Sequence, residues 1–118
     1  MIGCDIVQIP RIQRLYEKYG KRFENYCFTD MEQTEAQKKK DIVEFYAKRY
    51  AAKEAFAKAL RTGFGEKLNF QDISVVNDVN GAPSFIFSQR IQKMLGKKTA
   101  HLSISDDPPC AMAVVLIN

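Results

Sequence analysis

The stretch DIVEFYAKRYAAKEAFAKALRTGFG, Asp41 to Gly65, decides how the rest of the chain is arranged. From Ile42 onward the residues at 45, 46, 50, 52, 56, 59 and 60 are apolar, the spacing of a helix face packed on a core. Asp41 stands where a helix N-cap belongs, and Thr62-Gly63-Phe64-Gly65 ends the pattern. Glu54 stands in the middle of this helix, with Lys58 four residues on and Arg61 seven, all on one face. A Glu-to-Lys pair one turn apart, worth about 0.3–0.5 kcal/mol, accounts for that face without any function.

Before this helix, Ile2, Cys4 and Ile6 alternate with Gly3, Asp5 and Val7, as in a short strand that carries a carboxylate on one face. Pro10 ends it. Arg11 to Tyr19 reads as a helix, with Ile12, Leu15, Tyr16 and Tyr19 at helical spacing and Gly20 just past its end. Thr29-Asp30-Met31-Glu32 matches a capping box and predicts a short polar helix. Lys38-Lys39-Lys40 reads as a solvated basic turn. Beyond the long helix, Asp72–Val79 and Ala82–Phe87 are strand-like around an Asn80-Gly81 hairpin signal, and Ser88 can cap a helix to about Leu95. Thr99–Ser105 and Cys110–Ile117 are two more strands, joined by Asp106-Asp107-Pro108-Pro109. The resulting order, β-α-α-α-β-β-α-β-β, predicts an α+β fold with a mostly antiparallel sheet in a single domain, 1–118.

Composition sets the wider limits. With 118 residues, 46% apolar and 27% charged, the chain has globular rather than disordered, collagen-like or membrane character. Its longest apolar run, Ala111–Ile117, is too short to cross a bilayer, and no basic stretch precedes an apolar one at the N-terminus. A cytoplasmic protein is expected. Three cysteines, Cys4, Cys27 and Cys110, without C-x-x-C spacing suggest reduced thiols rather than a disulfide framework or a zinc site. The net charge of +4 favours an anionic partner and leaves nucleic acid, phosphate ligand and acidic protein all open.

Several residues could carry chemistry. Asp5, between Cys4 and Ile6, requires a cation or several donors unless it faces solvent. Two carboxylates on separate elements, near lysine and arginine, suit a magnesium-bound diphosphate, because magnesium takes few protein oxygens and leaves the rest of its shell to water and phosphate. The Thr62–Gly65 loop is an incomplete phosphate cradle or a simple helix C-cap. Strand alternation sets His101, Ser103 and Ser105 on one face, either a solvated strand, a ligand-binding row or a serine nucleophile with its base; no G-x-S-x-G elbow accompanies the last.

These pieces together resemble the holo-acyl-carrier-protein synthases, the short bacterial branch of the 4′-phosphopantetheinyl transferases. GCDIVQIPRI is similar to that family's G-x-D-I-x-x-I-x-R-I, and RYAAKEAFAKAL to its R-(F/Y)-A-A-K-E-A helix. LNFQDISVVNDVNGAP resembles its strand and N-G-x-P hairpin, and HLSISDD with AMAVV resembles its closing strands. The resemblance implies transfer of 4′-phosphopantetheine from coenzyme A to a serine of apo acyl carrier protein, in fatty acid biosynthesis. It further implies magnesium on Asp5 and Glu54, coenzyme A phosphate on Lys58, and nucleotide contacts near Thr62, Gly63, Ser103 and Ser105. Glu54 is the expected acceptor of the serine proton. Arg11 corresponds to a carrier-protein contact that Arg14, Lys21 and Arg22 extend, and the assembly implied is a homotrimer with sites between subunits. Two departures stand out: Leu60-Arg61-Thr62-Gly63 where the family reads L-G-T-G, and Ser105-Asp106 where it reads S-H.

Two other readings compete. A basic RNA-binding module would use Phe85 and Phe87 as stacking surfaces, although both share a face with Pro83 and no RNP-like motif is present. A noncatalytic carrier-binding homologue of the same fold is the other, favoured by the acidic residue at 106.

Overall fold

The central helix begins where its capping residue predicts, with Asp41 Oδ1 accepting the Glu44 N–H at 3.0 Å. The computed structural model describes all residues, 1–118. The chain runs β1 (Ile2–Gln8), α1 (Ile9–Tyr19), α2 (Lys21–Cys27), α3 (Asp30–Ala36), α4 (Ile42–Leu60), a 3-10 turn (Phe70–Asp72), β2 (Ile73–Asn77), β3 (Pro83–Phe87), α5 (Gln89–Leu95), β4 (Ala100–Asp107) and β5 (Cys110–Ile117). This is the expected α+β order with one short helix added. Gly20, at φ 53°, ends α1 and turns the chain straight into α2, so the residue read as a helix stop is also a helix start.

The strands form two antiparallel sheets, β1-β5-β4 and β2-β3. Between them runs α4, with 12 of its 19 residues buried, too many for the single apolar face expected from spacing. Its middle is alanine: Ala51, Ala52, Ala55 and Ala59 let neighbouring backbones come close, while Tyr46 and Phe56 fill the volume beside them. Phe28 stacks on Tyr46 at 4.1 Å, and Phe85 and Phe87 pack on Phe56 at 5.4 and 4.8 Å. The two phenylalanines are partly buried against the core and engaged with Phe56, which removes them as a free stacking platform.

Local signals hold with two exceptions. The Thr29–Glu32 capping box forms, with Glu32 Oε1 accepting the Thr29 N–H at 2.9 Å. Between β2 and β3, however, the chain makes a longer loop in which Asp78 Oδ1 accepts the Asn80 and Ala82 N–H groups, and only Gly81 takes a positive φ. Ser88 occupies the N-cap of α5, yet its hydroxyl donates to Asp72 Oδ1 at 2.7 Å.

Register divides the larger sheet into two faces. Gly3, Asp5 and Val7 lie opposite Val115, Ala113 and Ala111 on the face turned to α4. Ile2, Cys4 and Ile6 lie opposite Leu116, Val114 and Met112 on the other, where Ile2 and Ile6 stay 69% and 66% exposed. The cysteines are free thiols, and burial pushes that of Cys27 up to about 12.

Candidate active site

Gly3 sets the site's dimensions. A Cβ at this position would lie 2.3 Å from the Ala55 carbonyl oxygen and 2.5 Å from the Ala59 nitrogen, so only glycine lets β1 rest directly on α4. Asp5, two residues along the same strand face, is thereby brought to the Glu54–Lys58 turn of α4. Lys58 Nζ donates to Asp5 Oδ1 at 2.8 Å. The helix pair expected between Glu54 and Lys58 is thus replaced by one across elements, because Lys58 is exposed and reaches over to the strand while Glu54 is half-buried.

Around Glu54 the charges are finely opposed. Burial raises its carboxyl above the usual range and Asp5 adds to this, whereas Tyr50, Lys58 and Arg11 pull it down. Arg11, from the start of α1, lies with its guanidinium 5.7 Å from the centre of the Tyr50 ring. Asp5, Arg11, Tyr50, Glu54 and Lys58 therefore form one cluster drawn from β1, α1 and α4. Its two carboxylates are the residues able to hold a hard cation. No third His, Cys, Asp or Glu joins them, which leaves most of such a cation's shell to other ligands.

The remaining expected residues divide. Thr62 and Gly63 follow α4 in an exposed loop one turn past Lys58, with Gly63 at φ 65°. Ser103 and Ser105 pair with Val114 and Met112 on the outer face, so a single chain does not bring them to Asp5 and Glu54. His101 joins Asn118 Oδ1 at 3.2 Å, and no serine–histidine pair forms. Arg14 and Arg22 are exposed on α1 and α2, Arg22 lying 5.9 Å over the Tyr19 ring, while Lys21 donates to Gln33 at 2.8 Å.

A cavity of about 870 Å³ lies at the other end of α4, lined in part by Lys39, Lys40, Lys48, Arg49 and Asp106. Arg49 is 6% exposed and bonds Asn77 Oδ1 at 2.7 Å, yet its Nε has no partner and no carboxylate pairs with it. Asp106 points inward to Lys48, 3.5 Å away, which also meets Glu44 at 3.3 Å.

The sequence pattern of the 4′-phosphopantetheinyl transferase superfamily matches residues 1–113. The chain belongs to that family. It is 41% identical to a holo-acyl-carrier-protein synthase of Brucella ovis, over 98% of this chain and 92% of that protein. Among solved structures it superposes on the holo-acyl-carrier-protein synthase of Neisseria meningitidis with a TM-score of 0.94, at 38% identity over 99% of this chain and 96% of that one. The Helicobacter pylori synthase, solved in complex with coenzyme A, gives 0.89 at 31% identity over the full length of both chains. Of the two departures from the 4′-phosphopantetheinyl transferase pattern, Asp106 is paired with Lys48, a cation it shares with Glu44.

Spacing alone did not expose the parts of three residues, two at the site and one in the core beneath it. Gly3 was legible only as a strand residue on the face of Asp5 and as the glycine of the G-x-D pattern. Tyr50 read as a core aromatic. Lys53, fully buried, lies four residues from Arg49 and three from Phe56, on the apolar stripe itself, and that position was its signal.

Proposed function

We propose that the chain is a holo-acyl-carrier-protein synthase, transferring 4′-phosphopantetheine from coenzyme A to a serine of apo acyl carrier protein. The observation that carries this is the approach of β1 to α4 at Gly3, which joins Asp5, Glu54 and Lys58 in a member of this family. In the reaction the serine oxygen bonds to the β-phosphorus, the bond from that phosphorus to the bridging oxygen breaks, and adenosine 3′,5′-bisphosphate leaves with the electron pair. Lys58 neutralises charge on the diphosphate. Glu54 takes the serine proton. Asp5 and Glu54 would hold magnesium, which when bound supplies electrostatic stabilisation to the diphosphate oxygens.

The outer face of the β1-β5-β4 sheet supports a homotrimer: Ile2, Ile6, Met112 and Leu116 form an exposed apolar surface that also carries Ser103 and Ser105. Packed against a neighbour, those serines reach a site they do not meet in one chain. Arg49, a buried cation without a carboxylate, supports binding of an anionic part of coenzyme A in its cavity. Arg11, Arg14 and Arg22 face an acidic carrier protein, with long-range attraction raising the encounter rate. The chain acts as one domain in the cytoplasm; none of its helices is long and apolar enough to cross a membrane.

The test is incubation with coenzyme A, magnesium and apo carrier protein, followed by mass spectrometry. The 4′-phosphopantetheine adduct on the carrier is expected, and its absence with every carrier of the source organism defeats the proposal. Glu54→Gln should lower turnover about a hundredfold; near-normal turnover at saturating coenzyme A and magnesium removes Glu54 as proton acceptor.

A further inference from the structure

Helix α4 ends on Arg61, which adopts the left-handed conformation at φ 61°, ψ 26°. It is the one residue other than glycine in the chain with a positive φ. A Cβ crowds the backbone in that conformation, which is why glycine commonly fills this position after a helix. Within the chain the Arg61 guanidinium gains nothing in return. It makes no ion pair with any carboxylate, and only its backbone N–H is engaged, to Ala57 and Lys58. The helix dipole gives no reason for an arginine at this strained position, because Lys58 already supplies a cation in the last turn.

The neighbouring cluster gives the reason. Asp5 and Glu54 are balanced by Lys58 and Arg11, and Lys58 already donates to Asp5. Lys58 is therefore engaged within the chain, and Arg61, three residues on, is the cation at this helix end left without a carboxylate. We infer that Arg61 is a substrate-binding residue for the transferase reaction, its guanidinium taking a phosphate of coenzyme A alongside Lys58 and the Thr62–Gly63 turn. A planar guanidinium binds phosphate through paired N–H donors, and from an exposed loop it reaches ligand without being desolvated beforehand. The inference rests on the transferase reading, and strain at the helix end is retained because the ligand requires the charge there.

Three variants separate strain from charge. Arg61→Ala keeps the backbone strain and loses the charge, Arg61→Gly loses both, and Arg61→Lys keeps the strain and a cation. Titration calorimetry with coenzyme A at low salt and fixed magnesium should show affinity falling about three- to tenfold for R61A and R61G, and less for R61K. Thermal melts should show R61G a few degrees more stable than the parent, by about 2–5 °C, with R61A little changed. Parent-like affinity in R61A, with the parent binding coenzyme A, overturns this inference alone. If the parent binds no coenzyme A, the transferase reading falls and this inference falls with it.

Discussion

Lys53 and Lys58 leave the same helix five residues apart, and each ends on a carboxylate. Lys53 Nζ lies 2.6 Å from Glu32 Oε1 with both side chains fully buried, and it also donates to the carbonyls of Cys27 and Phe70 at 2.8 and 3.2 Å. Glu32 in turn accepts the Thr29 and Val75 N–H groups, each at 2.9 Å. Burial alone would pull the Lys53 ammonium down, and Glu32 opposes it. All three ammonium protons and both carboxylate oxygens there are used by the fold, which ties α2, α3, α4, the 3-10 turn and β2 to one point. Lys58 and Asp5 are 2.8 Å apart with Lys58 55% exposed, and no backbone group shares their pair. An ion pair that water can reach is readily exchanged for a substrate's phosphate; one enclosed by carbonyls is not. Burial, more than residue type, separates the structural lysine from the one proposed to meet substrate.

That contrast is open to direct attack. Lys53→Met should cost about 3–5 kcal/mol by urea unfolding, because it leaves Glu32 charged and enclosed. A loss below about 1 kcal/mol would show that the buried pair holds nothing together. Gly3→Ala leaves both lysines in place and inserts a methyl against the α4 backbone, so a loss of about 2–3 kcal/mol is expected together with reduced transfer. Full activity in that variant would mean that Asp5 does not depend on the close approach.

The Asp72–Arg90 pair, with Arg90 44% exposed, is an intermediate case. Burial pushes the Asp72 carboxyl up, but Arg90, the Asn69 N–H and the Ser88 hydroxyl outweigh it and hold it at about 2. Since the folded value lies below the ordinary 3.8, the stability it contributes is present above about pH 4 and lost as the pH falls toward 2. After screening it amounts to about 1–2 kcal/mol. Acid titrations of the parent and Asp72→Asn should converge at low pH; parallel curves would remove the pair from the stability balance. Lys58→Ala is expected to have the smallest effect on stability, about 0–1 kcal/mol, with transfer falling about a hundredfold. A stability loss matching that of Lys53→Met would erase the distinction between the two lysines.

Much of the fold was legible because its signals are local. Asp41, Thr29 and Gly20 mark helix ends through hydrogen bonds or dihedrals settled within a few residues, and the 110–117 strand has its predicted limits. The helix at 21–27 escaped because seven residues give too little period and no capping side chain marks its start, and the β2–β3 turn was misread because Asp78, not Asn80, organises it. In the site, the residue types were readable and the partnerships were not. The Glu54–Lys58 spacing describes a helix pair that does not form, since Asp5 arrives from a strand some fifty residues earlier.

By itself, then, the sequence determined the α+β order, the caps, the inward and outward rows of each strand, and a family motif carrying Asp5, Glu54 and Lys58. All of these depend on periodicity, on chemistry within one or two turns, or on residue identity. Only the tertiary structure decided that Lys53 is interior and Lys58 exposed, that Asp106 meets Lys48, and that Ser103 and Ser105 lie across the sheet from the carboxylates. The placement of Asp5 beside Glu54 and Lys58 was likewise decided in three dimensions, by how closely β1 can approach α4. A single missing Cβ, at Gly3, sets that distance.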